Sequence, residues 1–402
     1  MDTVKPVYLE SDKCNGCVNC MKRCPTEAIR VRNGKATIMY DRCVGCGECV
    51  KVCPTGAKKE SYDKLETVNR YKYKIALPCP SLYGQFNNLT DTDYVLTGLK
   101  RMGFDAVYEV AYASELISSA TRRYIREYGA KKPIISTACP AVLNLILMRY
   151  EHLIEHLSPM LQPEEVAARE ALKEAEGRGI KREDIGIFVI TQCAAKVLQL
   201  KRNGSSVDGV LSVKEVYFPL LNEMNKIAEP EKLKKAGKIG ISWGSSTGEA
   251  IGLGCDNYLS ADGIENVIGV LNEMEHDKLA GLDFIELNAC SSGCVGGSLN
   301  LENPFLARTR LRQLRKHSAD TKVEVEDINL YTVDKPYESV NVFRLDDNRI
   351  EAMKKMIAVQ DIYSRLPGMN CGSCGAPNCM ALAEDIVRGL KVSCKYKEAE
   401  KK

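Results

Sequence analysis

Three stretches organise the chain: KPIISTACPA at residues 132–141, IGIFVITQCAAK at 185–196 and DFIELNACSSGCVGG at 283–297. In each, a short apolar run ends at a small or polar residue and is followed by a cysteine. Similar runs, KIALPCP at 74–80 and KIGISWG at 238–244, alternate with helix-length amphipathic segments from Ile75 to about Leu306. That alternation indicates an α/β domain with mostly buried sheets flanked by helices. Cysteines placed where strands end stand where open α/β sheets collect their ligands.

The chain has 402 residues, 45% of them hydrophobic, enough to build a substantial core in two or three domains. Its 18 cysteines follow an N-terminus, MDTVKPVYLESDK, with neither the apolar core nor the cleavage site of a signal peptide. Metal ligation therefore accounts for the cysteines better than a disulfide framework. With no apolar run near the roughly 20 residues that span a bilayer, a soluble, cytoplasmic protein in a reducing, anaerobic compartment is expected. The formal charge of +3 counts every cysteine as a neutral thiol. Cysteines that ligate metal do so as thiolates and leave the loaded protein more acidic than that sum, which argues against nucleic-acid binding.

Residues 1–60 contain an internal repeat, CNGCVNCMKRCP from Cys14 and CVGCGECVKVCP from Cys43. This doubled CxxCxxCxxxCP run is that of two-cluster ferredoxins, in which the fourth cysteine of each run serves the other cluster. One cubane is expected on Cys14, Cys17, Cys20 and Cys53, the other on Cys43, Cys46, Cys49 and Cys24, within an α+β ferredoxin-like domain. Zinc signatures use two separated cysteine pairs instead. A connection at 61–74 leads into the α/β domain at 75–316, and a polar stretch at 317–348 leads to a small unit at 349–402. There Cys371, Cys374, Cys379 and Cys394 resemble the four-cysteine cubane domain of electron-transport subunits and corrinoid iron-sulfur proteins. A third accessory 4Fe-4S cluster is expected there, with zinc as the alternative. Cys79 and Cys255 remain as free thiols.

Cys139, Cys193, Cys290 and Cys294 occur in STACPA, TQCAAK and NACSSGCVGG, which in order and spacing resemble the cysteine signatures of iron-only (di-iron) hydrogenases. The resemblance covers about residues 75 to 306, including LPCPSLYGQF and GFDAVYEVAYASELISS. It implies an H-cluster: the four thiolates hold a 4Fe-4S cubane, and Cys294 also bridges to a di-iron unit carrying carbon monoxide, cyanide and an azadithiolate. It further implies hydrogen and protons as reactants, a ferredoxin-like electron carrier or signalling partner, and dedicated maturation proteins. Lys196 matches the lysine that holds a cyanide ligand, a charge-assisted hydrogen bond. Gly293, Gly296 and Gly297 would let the backbone approach the cofactor, and GSSTGE from Gly244 makes Ser245 a candidate wall residue.

The departures are equally specific. Ala138 stands where fully active members carry a proton-relaying cysteine, and the glutamate further along that relay aligns near Ser118 or Ser119. Asn288, Gln192 and Thr191 replace a methionine, a proline and a methionine, making the cavity more polar. Such changes typify the divergent members regarded as sensors, so slow turnover is expected. Glu249, Glu286 and Cys255 are candidate substitute relays. The competing function is a cubane-only electron-transfer or cluster-assembly protein without the di-iron unit. Two further segments receive no chemistry: PEEVAAREALKEAEG from Pro163, expected as an exposed helix ending near Gly177, and HLIEH at 152–156, whose H-x-x-E-H pattern lacks a third zinc ligand.

Overall fold

The structure, a computed structural model, describes residues 4–128, 131–202, 204–321 and 323–394. Near the N-terminus, β1 (Val7–Leu9) pairs antiparallel with β4 (Lys58–Glu60), and β2 (Ile29–Arg32) with β3 (Lys35–Ile38). Asn33 and Gly34 turn the second hairpin at φ 51° and 72°, as an Asn-Gly pair does when its left-handed backbone matches the strand twist. Short helices at Asn19–Lys22 and Glu48–Lys51 start within the two cysteine runs.

The catalytic-type region contains two parallel sheets. The first has the order β6 (Ala106–Val107), β5 (Tyr73–Pro78), β8 (Ile185–Thr191), β9 (Gly209–Ser212). The second has the order β10 (Tyr258–Asp262), β11 (Phe284–Asn288), β7 (Ile134–Ile135). All seven residues of β8 are buried, which is why its sequence is dominated by Ile, Val and Phe rather than alternating. The three cysteine segments leave the C-terminal ends of β7, β8 and β11, as their apolar-run-then-cysteine pattern implies.

KIGISWG departs from the strand expected of it: Lys238–Ser242 is a short helix. A Cβ on Gly240 would lie 2.2 Å from the Ala111 carbonyl oxygen, so this segment is pressed against the Val110–Glu127 helix, and that packing overrides local β propensity. The Pro163–Gly177 helix ends where expected but is not an exposed helix. Its first turns, Pro163 to Ala168, are buried, together with Ala171 and Ala175.

The stretches outside the α/β core are packed onto it. Asp63 accepts a hydrogen bond from the Val210 amide at 2.7 Å, and Val325, Ile328 and Tyr331 join the apolar cluster around β5 and β8. At the C-terminus, the Arg349–Arg365 and Cys379–Val387 helices pack together. Their unit docks on the N-terminal domain: the Val31 amide donates to the Gly375 carbonyl at 3.0 Å. The buried Arg30 guanidinium meets Asp385 at 2.8 Å. Among the described residues no helix is long and apolar enough to cross a membrane.

Candidate cluster sites and active-site cavity

The repeat folds so that each half supplies three cysteines to one cavity and its last to the other. Cys14, Cys17, Cys20 and Cys53 line one small apolar cavity. Cys24, Cys43, Cys46 and Cys49 line a second. This is the exchange expected from the doubled run. Burial pushes the thiols of Cys20, Cys43, Cys46 and Cys49 up, Cys43 to about 11. Buried thiolates so close together need a cationic core to compensate them. Among the described residues no three His, Cys, Asp or Glu side chains close on a point as a single metal ion requires. The donor chemistry and the small cavities between the sulfurs fit iron-sulfur cubanes, whose ligands stand further apart than the four around one zinc.

Cys139, Cys193, Cys290 and Cys294 are brought together in the α/β domain: Cys193 feels the charge of Cys290, Cys294 and Cys139. Burial raises all four thiols, with Cys294 pushed up to about 11 despite Lys196 and a hydrogen bond from Gln192. The segment after Cys193 packs against the N-terminal domain. Gly45, at φ +70°, would bring a Cβ within 2.9 Å of the Ala195 Cα, so only glycine lets these backbones meet. Lys51 reaches the neighbourhood of Cys290 and lowers its thiol against the opposing effect of burial.

Cys294 also faces a small cavity of about 30 Å³ whose walls come from strand ends: Pro80 after β5, Ala138 after β7, Gln192 after β8 and Asn288 at the end of β11. Ser114, Glu164, Lys196, Trp243 and Glu249 complete its polar side and rim. Lys196 is buried and ion-paired to Glu164. Burial opposes its charge, but Glu164 and Cys294 outweigh that and hold the ammonium above its ordinary range. Glu164 also accepts a hydrogen bond from the Cys79 thiol at 3.3 Å. Cys79 is thus a buried thiol beside this cavity, while Cys255 lies half-buried in a separate apolar cluster.

Glu249 faces the same cavity from the Gly248–Leu253 helix. Ser136 donates to it at 2.5 Å, and the Ala138 amide donates to the same Ser136 hydroxyl at 3.2 Å. Burial, then the neighbouring Glu286, pushes the Glu249 carboxyl up to about 8. Glu286 is fixed by the Thr247 and Ala250 amides at 2.8 and 2.9 Å and by Asn288 at 2.9 Å.

Other expected residues sit elsewhere. Ser245 lines a neighbouring outer cavity. Gly293 and Gly297 make their close approaches to protein backbone: their Cβ positions lie 2.2 Å from the Ser246 amide nitrogen and 2.3 Å from the Gln192 carbonyl oxygen. Ser118 accepts a hydrogen bond from the Trp243 indole at 3.0 Å, and Ser119 one from the Val325 amide at 3.1 Å. Thr191 is buried with no hydrogen-bond partner for its hydroxyl. The Gln192 side-chain carbonyl is likewise unpartnered at the cavity wall, a buried polar atom available to an occupant. Cys374 and Cys394 pack against the small C-terminal apolar core and Cys379 is buried, whereas Cys371 is exposed. His152 and His156 belong to the 3-10 turn Glu151–His156, and His156 Nδ1 contacts the Pro133 carbonyl at 2.9 Å. Glu164 was not legible as a site residue, because a charged helical segment reads as solvated surface.

Three family models match the chain: "Iron only hydrogenase large subunit, C-terminal domain" over residues 72–252, "4Fe-4S dicluster domain" over 6–62, and "Putative Fe-S cluster" over 366–393. No curated protein matches it. Among solved structures, an FeFe-hydrogenase studied for oxygen inactivation of its H cluster matches with TM-score 0.54 and 16% identity, over 67% of this chain and 95% of that one. Another, from stepwise H-cluster assembly, matches with TM-score 0.50 and 17% identity, over 63% and 86%. A variant of the FeFe-hydrogenase from Chlamydomonas reinhardtii gives 0.50 and 17%, over 60% and 84%. These likenesses bear on the fold. Residues 72–252 thus match the large-subunit domain of iron-only hydrogenases, set between a dicluster domain and a C-terminal iron-sulfur region.

Proposed function

We propose that the protein interconverts hydrogen with protons and electrons at a cubane-linked di-iron cofactor, slowly, and serves as a hydrogen sensor. The observation that carries this is the cavity at Cys294, where one thiol, one buried ammonium and two carboxyl groups from four separate segments converge. A cubane alone gives these converging charged groups no role. Cys139, Cys193 and Cys290 would hold the cubane, and Cys294 would serve both it and the di-iron unit. When bound, that unit supplies the hydrogen-splitting chemistry. Lys196 would offer its protons to an anionic cyanide of that unit, with Glu164 keeping the ammonium charged and oriented.

Ala138 has no proton to pass. Glu249, protonated at neutral pH and hydrogen-bonded to Ser136, is the group on this face that holds one. We assign it the substitute relay, kept protonated first by its burial and then by the neighbouring Glu286. Relay through a single buried carboxyl, in place of a thiol and a glutamate in series, accounts for slow turnover.

Packing supports an electron path from the C-terminal unit through the two cubanes of residues 1–60 to the active-site cubane. Cubane potentials extend to roughly −400 mV, where protons and hydrogen interconvert at neutral pH. A ferredoxin-like carrier or a signalling partner would receive the electrons, and maturation proteins would install the di-iron unit. A cytoplasmic, anaerobic setting suits these clusters.

Infrared spectroscopy of anaerobically matured protein tests the central claim, since metal-bound carbon monoxide and cyanide absorb where proteins do not. Absence of those bands after the di-iron unit is supplied would leave the protein as a cubane-only electron carrier or cluster-assembly factor.

A further inference from the structure

On the outer side of the loop that carries Trp243 and Glu249 lies a second cavity of about 440 Å³. Ser245, Ser246 and Thr247 form one wall. Arg308, Arg312 and Arg315 form the other, one face of the Pro304–Lys316 helix at positions i, i+4 and i+7. The helix is anchored by the adjoining flank, where Ala307, Leu311 and Leu314 are buried, Leu311 at the cavity's edge. Its fourth arginine serves the fold, since Arg310 pairs with Glu302 at 2.6 Å and donates to the Gln85 carbonyl at 3.2 Å. The other three have no ion-pair partner among the described residues, and no carboxylate lines the cavity.

Three guanidinium groups gathered around a concavity repel one another unless an anion joins them, and packing does not require them there. Their planar donor forks match phosphate oxygens two at a time. The opposite wall is polar, with the Thr247 hydroxyl beside those of Ser245 and Ser246, which bond Ser242 and Ser260, and Phe305 at the rim is 65% exposed. The volume is that of a small-molecule site, and the concavity suits a small molecule better than a protein surface. We infer that this cavity binds a phosphate-bearing small molecule, with Arg308, Arg312 and Arg315 as its anion clamp. The site adjoins the hydrogen chemistry without sharing its cavity: the Ser246 amide donates to the Ser292 carbonyl at 3.0 Å, and the Val295 amide to the Gly244 carbonyl at 2.9 Å. One loop therefore separates the anion clamp from Cys294.

Calorimetric titration of the full-length, cluster-loaded protein with sodium pyrophosphate and with ADP, at constant ionic strength, tests the inference without any need for the di-iron unit. One saturable site per chain is expected. Arg312→Gln should weaken pyrophosphate binding about ten-fold, the loss of one charge-assisted contact, and Arg308→Gln with Arg312→Gln more than that. Arg312→Lys should recover only part of the affinity, because the charge returns without the fork. Arg308 and Arg312 are exposed on an otherwise anchored helix, so the variants should fold; Arg312→Glu, which reverses the charge, gives a second reading with the larger loss. ADP binding that exceeds pyrophosphate binding and falls to its level in Phe305→Ala would assign a nucleotide. Equal affinities, indifferent to Phe305→Ala, would assign a phosphate group alone. Failure of either probe to saturate by roughly 10 mM, or an unchanged affinity in the double variant, overturns the proposal.

Discussion

Lys196 and Glu164 form a buried ion pair at the wall of the active-site cavity, with the two side chains 8% and 1% exposed. They are 32 residues apart in sequence; the short helix Ala194–Leu200 that follows β8 delivers the lysine and the first turn of the Pro163–Gly177 helix the glutamate. The pair keeps a charge poised in a site otherwise hostile to one.

Breaking a buried pair from one side strands the other charge, at a cost of about 3–5 kcal/mol. Glu164→Gln should therefore destabilise the protein lacking its di-iron unit by roughly that amount. The loss should be smaller in fully matured protein, where an anionic cofactor gives Lys196 a second partner. Chemical denaturation of both forms checks this. Equal losses would mean that Lys196 makes no contact with the cofactor.

Lys196→Ala should lower retention of the di-iron unit and shift the infrared cyanide bands, since the proposed hydrogen bond is removed. The measurement is cofactor loading together with band position after identical maturation. Wild-type loading and wild-type frequencies would show that the lysine serves packing against Glu164 alone.

Metal content discriminates the accessory sites. Reconstituted protein should hold about sixteen iron atoms, four per cubane, before the di-iron unit is added. Cys371→Ser should cost about four of them and leave the other three clusters intact. Recovery near twelve irons with one retained zinc would make the C-terminal group a zinc site.

The strands β5, β8 and β11, the exchange of Cys24 and Cys53 between the two halves of the repeat, and the four cysteines at the strand ends were all legible, because each has a local signature: an apolar run, a fixed spacing, a cysteine at a strand terminus. The wall of the cavity was less so. Glu164 lies in a segment whose Glu, Lys and Arg content resembles any solvated helix, and only tertiary packing buries its first turns. KIGISWG has strand composition but meets Ala111 backbone at Gly240 and turns helical. Ser118 and Ser119 mark the aligned position of the missing acid, yet Ser118 stands behind the Trp243 indole, and one-dimensional alignment does not show such screening. The glycines around Cys294 also meet protein backbone, at Ser246, Ser291 and Gln192, close approaches that one dimension does not show.

That screening bears on how turnover can be raised. Ala138→Cys restores an exchangeable proton next to Ser136, which already bonds Glu249. Adding Ser118→Glu places an acid behind Trp243 and breaks the indole hydrogen bond. Ala138→Cys should therefore be coupled to Glu249 rather than to Ser118. In a double-mutant cycle on hydrogen evolution at matched cofactor loading, Glu249→Gln should abolish most of the gain from Ala138→Cys, a coupling of about 1 kcal/mol or more. Ser118→Glu should merely add its own effect. Coupling to Ser118→Glu with none to Glu249→Gln would place the relay behind Trp243 instead.

The pH dependence of stability tests the same carboxyl independently of turnover. Glu249 titrates near 4.5 as an ordinary glutamate and is pushed up to about 8 in the folded protein, first by burial and then by Glu286. Between those values the folded state holds a proton that the unfolded state has released. Its favourable contribution is complete below pH 4.5 and is lost progressively as pH rises through 8. Glu249→Gln, which carries no charge at any pH, should remove that dependence. Relative to wild type, the variant should gain on the order of 2–4 kcal/mol between pH 5 and pH 9. The comparison is best made by denaturant titration of protein carrying cubanes but no di-iron unit, so that cofactor charge does not enter. Hydrogen evolution by matured wild-type protein should fall over the same upper range, as Glu249 gives up the proton it is assigned to pass. If the stability difference between wild type and Glu249→Gln is flat from pH 5 to pH 9, Glu249 is ionised throughout and cannot be the proton donor at neutral pH.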